Sequence, residues 1–206
     1  MTSAPAVTQA ASHWKRYRVL YAVIAVCIAP VAASYLAYYV FPPSGRANYG
    51  SLIAPRPAPT VQLTTLDGRR FAFEELAGKW VMLAAAPAAC DMPCAAALLQ
   101  MRQQQLMTGK ERDRIERVWL VTDDLAVSPQ LLRDYDGTIV VRAPAGLVRE
   151  FLAPDGSSVA GHVWLIDPMS NLMLRWPLDP EPQRVKKDLA RLLTASSHWV
   201  RVERKD

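Results

Sequence analysis

Apolar positions along this chain fall into three regimes. From Val19 to Phe41 no charged residue interrupts a run of 23 positions. Wound as a helix, that run reaches about 35 Å at ~1.5 Å per residue. A bilayer's hydrocarbon core is about 30 Å thick, so the pattern predicts a membrane-spanning helix over residues 17–41. Residues 42–59 (PPSGRANYGSLIAPRPAP) carry five prolines and two glycines, which predicts a semi-stiff linker. From residue 60 onward, short apolar runs alternate with helical patterns. Val61–Thr65 and Arg70–Phe73 read as strands around an Asp67-Gly68 turn, with a helical turn at Glu74–Ala77. Trp80–Ala86 is continuously apolar and reads as a strand buried on both faces. A helix is predicted over Ala95–Leu106, a buried strand at Arg117–Val121, and a short helix at Ser128–Tyr135 with Ser128 as N-cap and Pro129 in first position. A strand at Ile139–Val141, a helix at Leu147–Leu152 and an antiparallel pair at His162–Ile166 and Leu172–Trp176 follow. Val185, Leu189, Leu192 and Leu193 place one apolar stripe on a last helix, Pro182–Leu193.

Strands alternating with helices, then a hairpin and a helix, predict an α/β sandwich on a mixed sheet. The organisation read from the sequence is therefore a tail over 1–16, a span over 17–41, a linker over 42–59 and one domain over 60–206. A cleaved signal peptide is the rival reading of the span. Its apolar core would be shorter, roughly 7–15 residues, and would end at small residues. This run is longer and ends in Tyr35, Tyr38, Tyr39 and Phe41 before Pro42-Pro43, and aromatic residues favour the membrane interface. Pro30 lies inside the span, where lipid-embedded helices tolerate it. Lys15, Arg16 and Arg18 precede the run, and cytoplasmic flanks carry the excess of Lys and Arg. The expected topology is a cytoplasmic N-terminus with the domain outside, which in a bacterium means a periplasmic domain on the inner membrane. The first 13 residues, rich in Ala, Thr and Ser, read as disordered.

Net charge is +5. The basic residues are scattered, with a cluster at Arg201, Arg204 and Lys205, and no stripe interleaved with aromatics appears, so nucleic acid is not an expected partner. Of three cysteines, Cys27 falls in the span and Cys90 and Cys94 are the pair outside it, where disulfides persist if the topology holds.

Cys90 and Cys94 lie between a buried strand and a helix. A helix N-terminus offers unpaired N–H groups and the positive end of its dipole, which favour a thiolate as nucleophile or metal ligand. Pro93 opens the helix in this reading and puts Cys94 in its first turn, leaving Cys90 in the loop as the more exposed thiol. Positions four apart can face one side, so the sulfurs can close a disulfide or grip one soft metal such as Cu(I) or Zn. A static disulfide or simple packing is the bland alternative. Met92, between the thiols, offers a thioether that Cu(I) accepts or acts as an apolar filler. Asp123 and Asp124 end a strand and read as turn caps.

The stretches LTTLDGRRFAFEELAGKWVML, Cys90-x3-Cys94, RVWLVTDD and WLIDP, across about residues 60–195, resemble thioredoxin-fold proteins, and among them the membrane-anchored Sco family of cytochrome oxidase assembly proteins. That resemblance implies a thioredoxin-like fold, a partner that is a cytochrome oxidase subunit or another assembly factor, and copper held by two cysteines and a distant histidine. Carried onto this chain, the ligands are Cys90, Cys94 and His162. The family's prolines after each cysteine are replaced here by Asp91 and Ala95. Its histidine aligns near Val159, three residues before His162. The cis-proline that other thioredoxin-fold proteins carry before the late strand falls at Ala160-Gly161. Three functions follow: copper handling for oxidase assembly, thiol–disulfide exchange through Cys90 and Cys94, or a non-catalytic interaction module.

Overall fold

The computed structural model describes residues 10–40 and 48–197, with side chains in the first helix from 17 to 39. Two compact units emerge, divided after Ala47. His198 and the basic cluster at Arg201, Arg204 and Lys205 fall outside the described residues.

The first unit is helix α1, Ala10–Val40. It takes in residues 10–13, where composition alone predicts disorder. From Tyr17 to Tyr39 it is apolar enough to cross a membrane, and none of that stretch is buried in protein. A helix apolar all round needs an apolar surrounding, which lipid supplies. At Pro30 the helix loses one backbone donor, and the Ser34 hydroxyl donates to the Pro30 carbonyl at 2.8 Å.

The second unit is a mixed sheet between two helical layers. Its elements are β1 (Ser51–Pro57), β2 (Leu63–Thr65), β3 (Arg70–Phe71), β4 (Trp80–Ala86), α2 (Met92–Met107), β5 (Ile115–Val121), α3 (Pro129–Asp134), β6 (Ile139–Arg142), α4 (Ala145–Leu152), β7 (Trp164–Ile166), β8 (Asn171–Arg175) and α5 (Pro182–Ala195). Strand order is β1-β8-β7-β4-β5-β6-β2-β3. The central β4–β5–β6 pairs are parallel, and all other pairs are antiparallel. β4 is buried along its whole length, as a central strand covered on both faces must be.

Residues alternate across the sheet and feed two cores. Trp80, Met82, Ile115 and Trp119 pack with Leu98 and Met101 of α2 and Val185 and Leu189 of α5. Val81, Leu83, Val118 and Trp164 pack on the other face with Phe71, Phe73 and Val148, Phe151 and Leu152 of α4. Trp80, Trp119, Trp164 and Trp176 are among the largest fully buried side chains. Each contributes on the order of 4 kcal/mol of apolar burial before entropy costs.

β1 corrects the linker expected over 42–59. Its residues pair antiparallel with β8, from Ser51 opposite Arg175 to Pro57 opposite Asn171. Pro55 and Pro57 hid it in the sequence. An outermost strand bonds on one side, so it accepts residues that lack an N–H. The entry to β1 is pinned: Asp188 of α5, 2% exposed, accepts from the amides of Tyr49 and Gly50 at 2.9 and 2.8 Å. Gly50 fits closely there: a Cβ would stand 2.6 Å from Leu174 Cδ2, a buried side chain that would have to shift.

The ladder also fixes which end of the sheet matters. Ser51 pairs with Arg175, Arg175 with Trp164, and Trp164 with Leu83. The start of β1 and the approach to β7 therefore share one edge with the end of β4, from which the cysteine loop leaves.

Candidate functional site

Beyond Ala86 the chain must turn from the sheet into α2. Two contacts hold that turn. The Cys90 amide donates to the Pro87 carbonyl at 3.1 Å, and the Ala88 amide donates to Asp123 Oδ1 at 3.1 Å. Asp123 is itself positioned from β6, where Arg142 donates to the carbonyls of Asp123 and Leu125 at 2.8 and 3.1 Å. Cys90 has φ +42°, in the left-handed region that side-chain-bearing residues visit at a cost. Reversal of the chain at Cys90 brings it back towards α2, with a Cα–Cα distance of 5.1 Å to Cys94, and the two sulfurs are bonded.

Asp91 caps α2 and accepts from the Cys94 amide at 3.1 Å. Pro93 follows in the first turn, as the sequence pattern predicts, and Cys94 is the third helical residue. Cys94 is 2% exposed and belongs to the first core, whereas Cys90 is half-buried at its margin. Met92 is 85% exposed. The tyrosine ending α3 ties the next turn of α2 to its neighbour, Tyr135 donating to the Ala95 carbonyl at 3.2 Å.

Gly161 faces this loop across the site. Its φ is +74°, and a Cβ there would meet Pro93 Cβ and Leu178 Cδ2 at 3.0 Å each. A substituted residue at 161 would push Pro93, and with it the disulfide. His162, expected at the start of a strand, precedes the observed strand by two residues, because the left-handed turn at Gly161 delays pairing until Trp164. The histidine Nδ1 lies 2.9 Å from the Trp176 carbonyl. A carbonyl accepts, so Nδ1 carries a proton, and in the neutral ring the lone pair falls on Nε2. Val159, the position matching the family histidine, packs against the second core instead.

Two thiols and an imidazole nitrogen suit a soft metal in kind. The structure does not gather them: with the sulfurs bonded to each other, no group of three His, Cys, Asp or Glu side chains among the described residues is placed to hold a metal ion. Beside the disulfide opens a cleft of about 630 Å³, lined by Pro87 and Asp91 on one side of the sheet edge and by Val148 and Arg149 on the other.

Sequence reasoning missed three contributors. Asp91 acts as the cap of α2, which its place three residues before Cys94 signals. Asp123 holds the cysteine loop rather than the turn that follows it. Gly161 is visible to sequence as a departure from a proline and gains its meaning from the contact with Pro93.

A sheet of this topology, with a disulfide between β4 and the first turn of α2, defines a thioredoxin-fold domain, here in a chain that also carries one N-terminal helix fit to span a membrane. The chain belongs to the transmembrane-like, thioredoxin-like, C-terminal domain family, whose model matches residues 80–196. Solved structures share the fold. Apo Sco1 from Thermus thermophilus is 18% identical, with a TM-score of 0.55 over 73% of this chain and 99% of that one. A putative thiol:disulfide interchange protein DsbE from Chlorobium tepidum is 20% identical, with a TM-score of 0.52 over 71% and 99%. ScoI from Bradyrhizobium japonicum, solved with copper bound, is 18% identical, with a TM-score of 0.50 over 69% and 100%. No curated protein matches the chain.

Proposed function

We propose that this protein is a membrane-anchored thiol–disulfide exchange factor that reduces a cysteine pair on a partner, in the manner of the Sco-like and interchange proteins that share its fold. The observation carrying this reading is the asymmetric Cys90–Cys94 disulfide, with Cys90 partly exposed and Cys94 enclosed at a capped helix start. In the reduced form, the Cys90 thiolate attacks one sulfur of the partner's disulfide, and the other partner sulfur leaves as a thiolate. Cys94 then attacks Cys90 Sγ, releasing the partner as a dithiol and closing the disulfide seen here. Two electrons pass to the partner, and a dithiol donor returns the pair to its reduced form. Attack falls to Cys90 because Cys94 is covered. Its burial makes Cys94 the resolving thiol.

The partner that best fits an anchored factor of this kind is a cytochrome oxidase subunit or another assembly factor of that enzyme, and Lys15, Arg16 and Arg18, within α1 ahead of the uncharged run that begins at Val19, support a domain on the outer, periplasmic side of the inner membrane. The test is a trapping experiment with the full chain in detergent. Cys94→Ser should accumulate a mixed disulfide with a cysteine-pair peptide, while Cys90→Ser should form none and lose exchange altogether. Equal trapping by both variants, or exchange surviving Cys90→Ser, would sink the assignment of roles.

One observation favours a second role for the reduced form, the carriage of Cu(I) as cargo. His162 gives its Nδ1 proton to the Trp176 carbonyl, an outer-shell arrangement common to metal-binding histidines. Cys90, Cys94 and His162 are the donors this role requires. Chelator competition on the reduced protein should then give one Cu(I) per chain, lost in Cys90→Ser and Cys94→Ser and weakened in His162→Ala by more than the roughly 10–100-fold that loss of an outer-shell partner costs. Full retention in His162→Ala removes the histidine from the set. No binding at all leaves thiol exchange alone.

A further inference from the structure

The cleft beside the disulfide has a feature that thiol exchange does not require. β4 remains paired with β5 as far as Ala86, but on its other side the ladder with β7 stops at Leu83 opposite Trp164. Past that point the segment 156–161 swings away from β4 and leaves the cleft, floored by the small side chains of Ala85 and Ala86. A volume of about 630 Å³ is about 9 Å on a side, room for roughly three residues of extended chain at ~3.3 Å each.

Its two charged walls differ. Asp91, on α2, already accepts the Cys94 amide. Arg149, on α4 across the sheet edge, is exposed and forms no ion pair among the described residues. Its neighbours behave otherwise: Arg175 donates to Ser157 Oγ at 3.1 Å and covers the Trp164 ring, and Arg56 donates to the Phe151 carbonyl at 3.1 Å. An unpaired guanidinium lining a peptide-sized cleft next to a reactive disulfide favours a carboxylate on whatever enters.

We propose that this cleft receives an extended segment of the target polypeptide and that Arg149 selects targets carrying an Asp or Glu within about three residues of the cysteine to be attacked. The inference rests on the thiol-exchange reading and deepens it. Entry of the acidic residue at the α4 wall places the target sulfur at the Pro87–Asp91 end, where Cys90 is half-exposed.

The test uses the full chain, reduced, in detergent at low salt. Its substrates are disulfide-closed peptides that differ in having Asp, Gln or Lys at positions two and three from either cysteine. Dithiothreitol exchange serves as the reference rate. The Asp peptides should be reduced about threefold to fivefold faster than the Gln peptides, as suits one exposed ion pair. Arg149→Gln should abolish that preference and Arg149→Glu should reverse it towards Lys. Arg70→Glu, the same charge change on the far edge strand β3, should leave it intact. Equal rates for all three peptides with the unmodified protein would overturn the proposal, as would a preference that survives Arg149→Glu. Absence of exchange with dithiothreitol as well would overturn the thiol-exchange reading itself and the inference with it.

Discussion

At the scale of single residues, the cysteine loop sets two opposing influences on one sulfur. Cys94 lies in the first turn of α2, where the helix dipole favours a thiolate. Asp91, as cap of the same turn, accepts the Cys94 amide at 3.1 Å and so holds a carboxylate in the turn that carries the Cys94 sulfur. Like charges at such range disfavour each other. The carboxylate therefore weights the pair towards its disulfide, which makes the dithiol a better reductant, the opposite of an oxidant whose reduced form is stabilised. Asp91→Asn keeps a good cap and removes the charge. Its dithiol form should gain about tenfold in the equilibrium with a reference thiol pair, a potential less negative by about 30 mV for a two-electron couple. The gain should grow with pH as the thiolate fraction rises, and oxidised-state stability should change little. A potential that stays put, or becomes more negative, at every pH tested would show that the carboxylate does not tune the pair.

At the scale of elements, sequence pattern revealed most of what position alone determines. The all-apolar run Trp80–Ala86 is the buried central strand it reads as, and Ser128-Pro129 opens α3 with the cap it advertises, Ser128 Oγ accepting from the Gln130 amide. What escaped was set by partners distant in sequence. β1 exists because β8 offers it an edge, and its prolines, which in isolation argue for a linker, are compatible with bonding on one side. β7 starts at Trp164 rather than His162 because Gly161 turns left-handed against Pro93, a contact between residues 68 positions apart in the chain. In the same way Cys90 and Cys94 were legible as a pair, and their unequal burial followed from Pro93. The cap by Asp91 is local and its spacing from Cys94 signals it, whereas the hold of Asp123 on Ala88 and the cleft at Arg149 required the sheet to bring α2, β5 and α4 to one edge.

At the scale of the whole molecule, the chemistry depends on which compartment holds the second unit. A disulfide persists where the surroundings are oxidising, and a factor that donates electrons there must be returned to its dithiol form by a donor within reach. Lys15, Arg16 and Arg18 before the span predict that residues 48–197 lie outside the cytoplasm. Impermeant maleimide applied to intact cells opened to the periplasm, after mild reduction, should label Cys90, and Cys90→Ser should remove most of that label because Cys94 is 2% exposed. Cys27, inside the span, is shielded from a water-soluble reagent by lipid. The labelled chain should stay in the membrane fraction at full length, through α1. Labelling that appears only after lysis would invert the topology and leave the pair in a reducing compartment, where a standing disulfide could not be the resting product of turnover. A shortened, soluble labelled product would mean that the apolar run is cleaved. The cysteine chemistry would survive that result, while the anchoring that confines the domain to membrane-held partners would not.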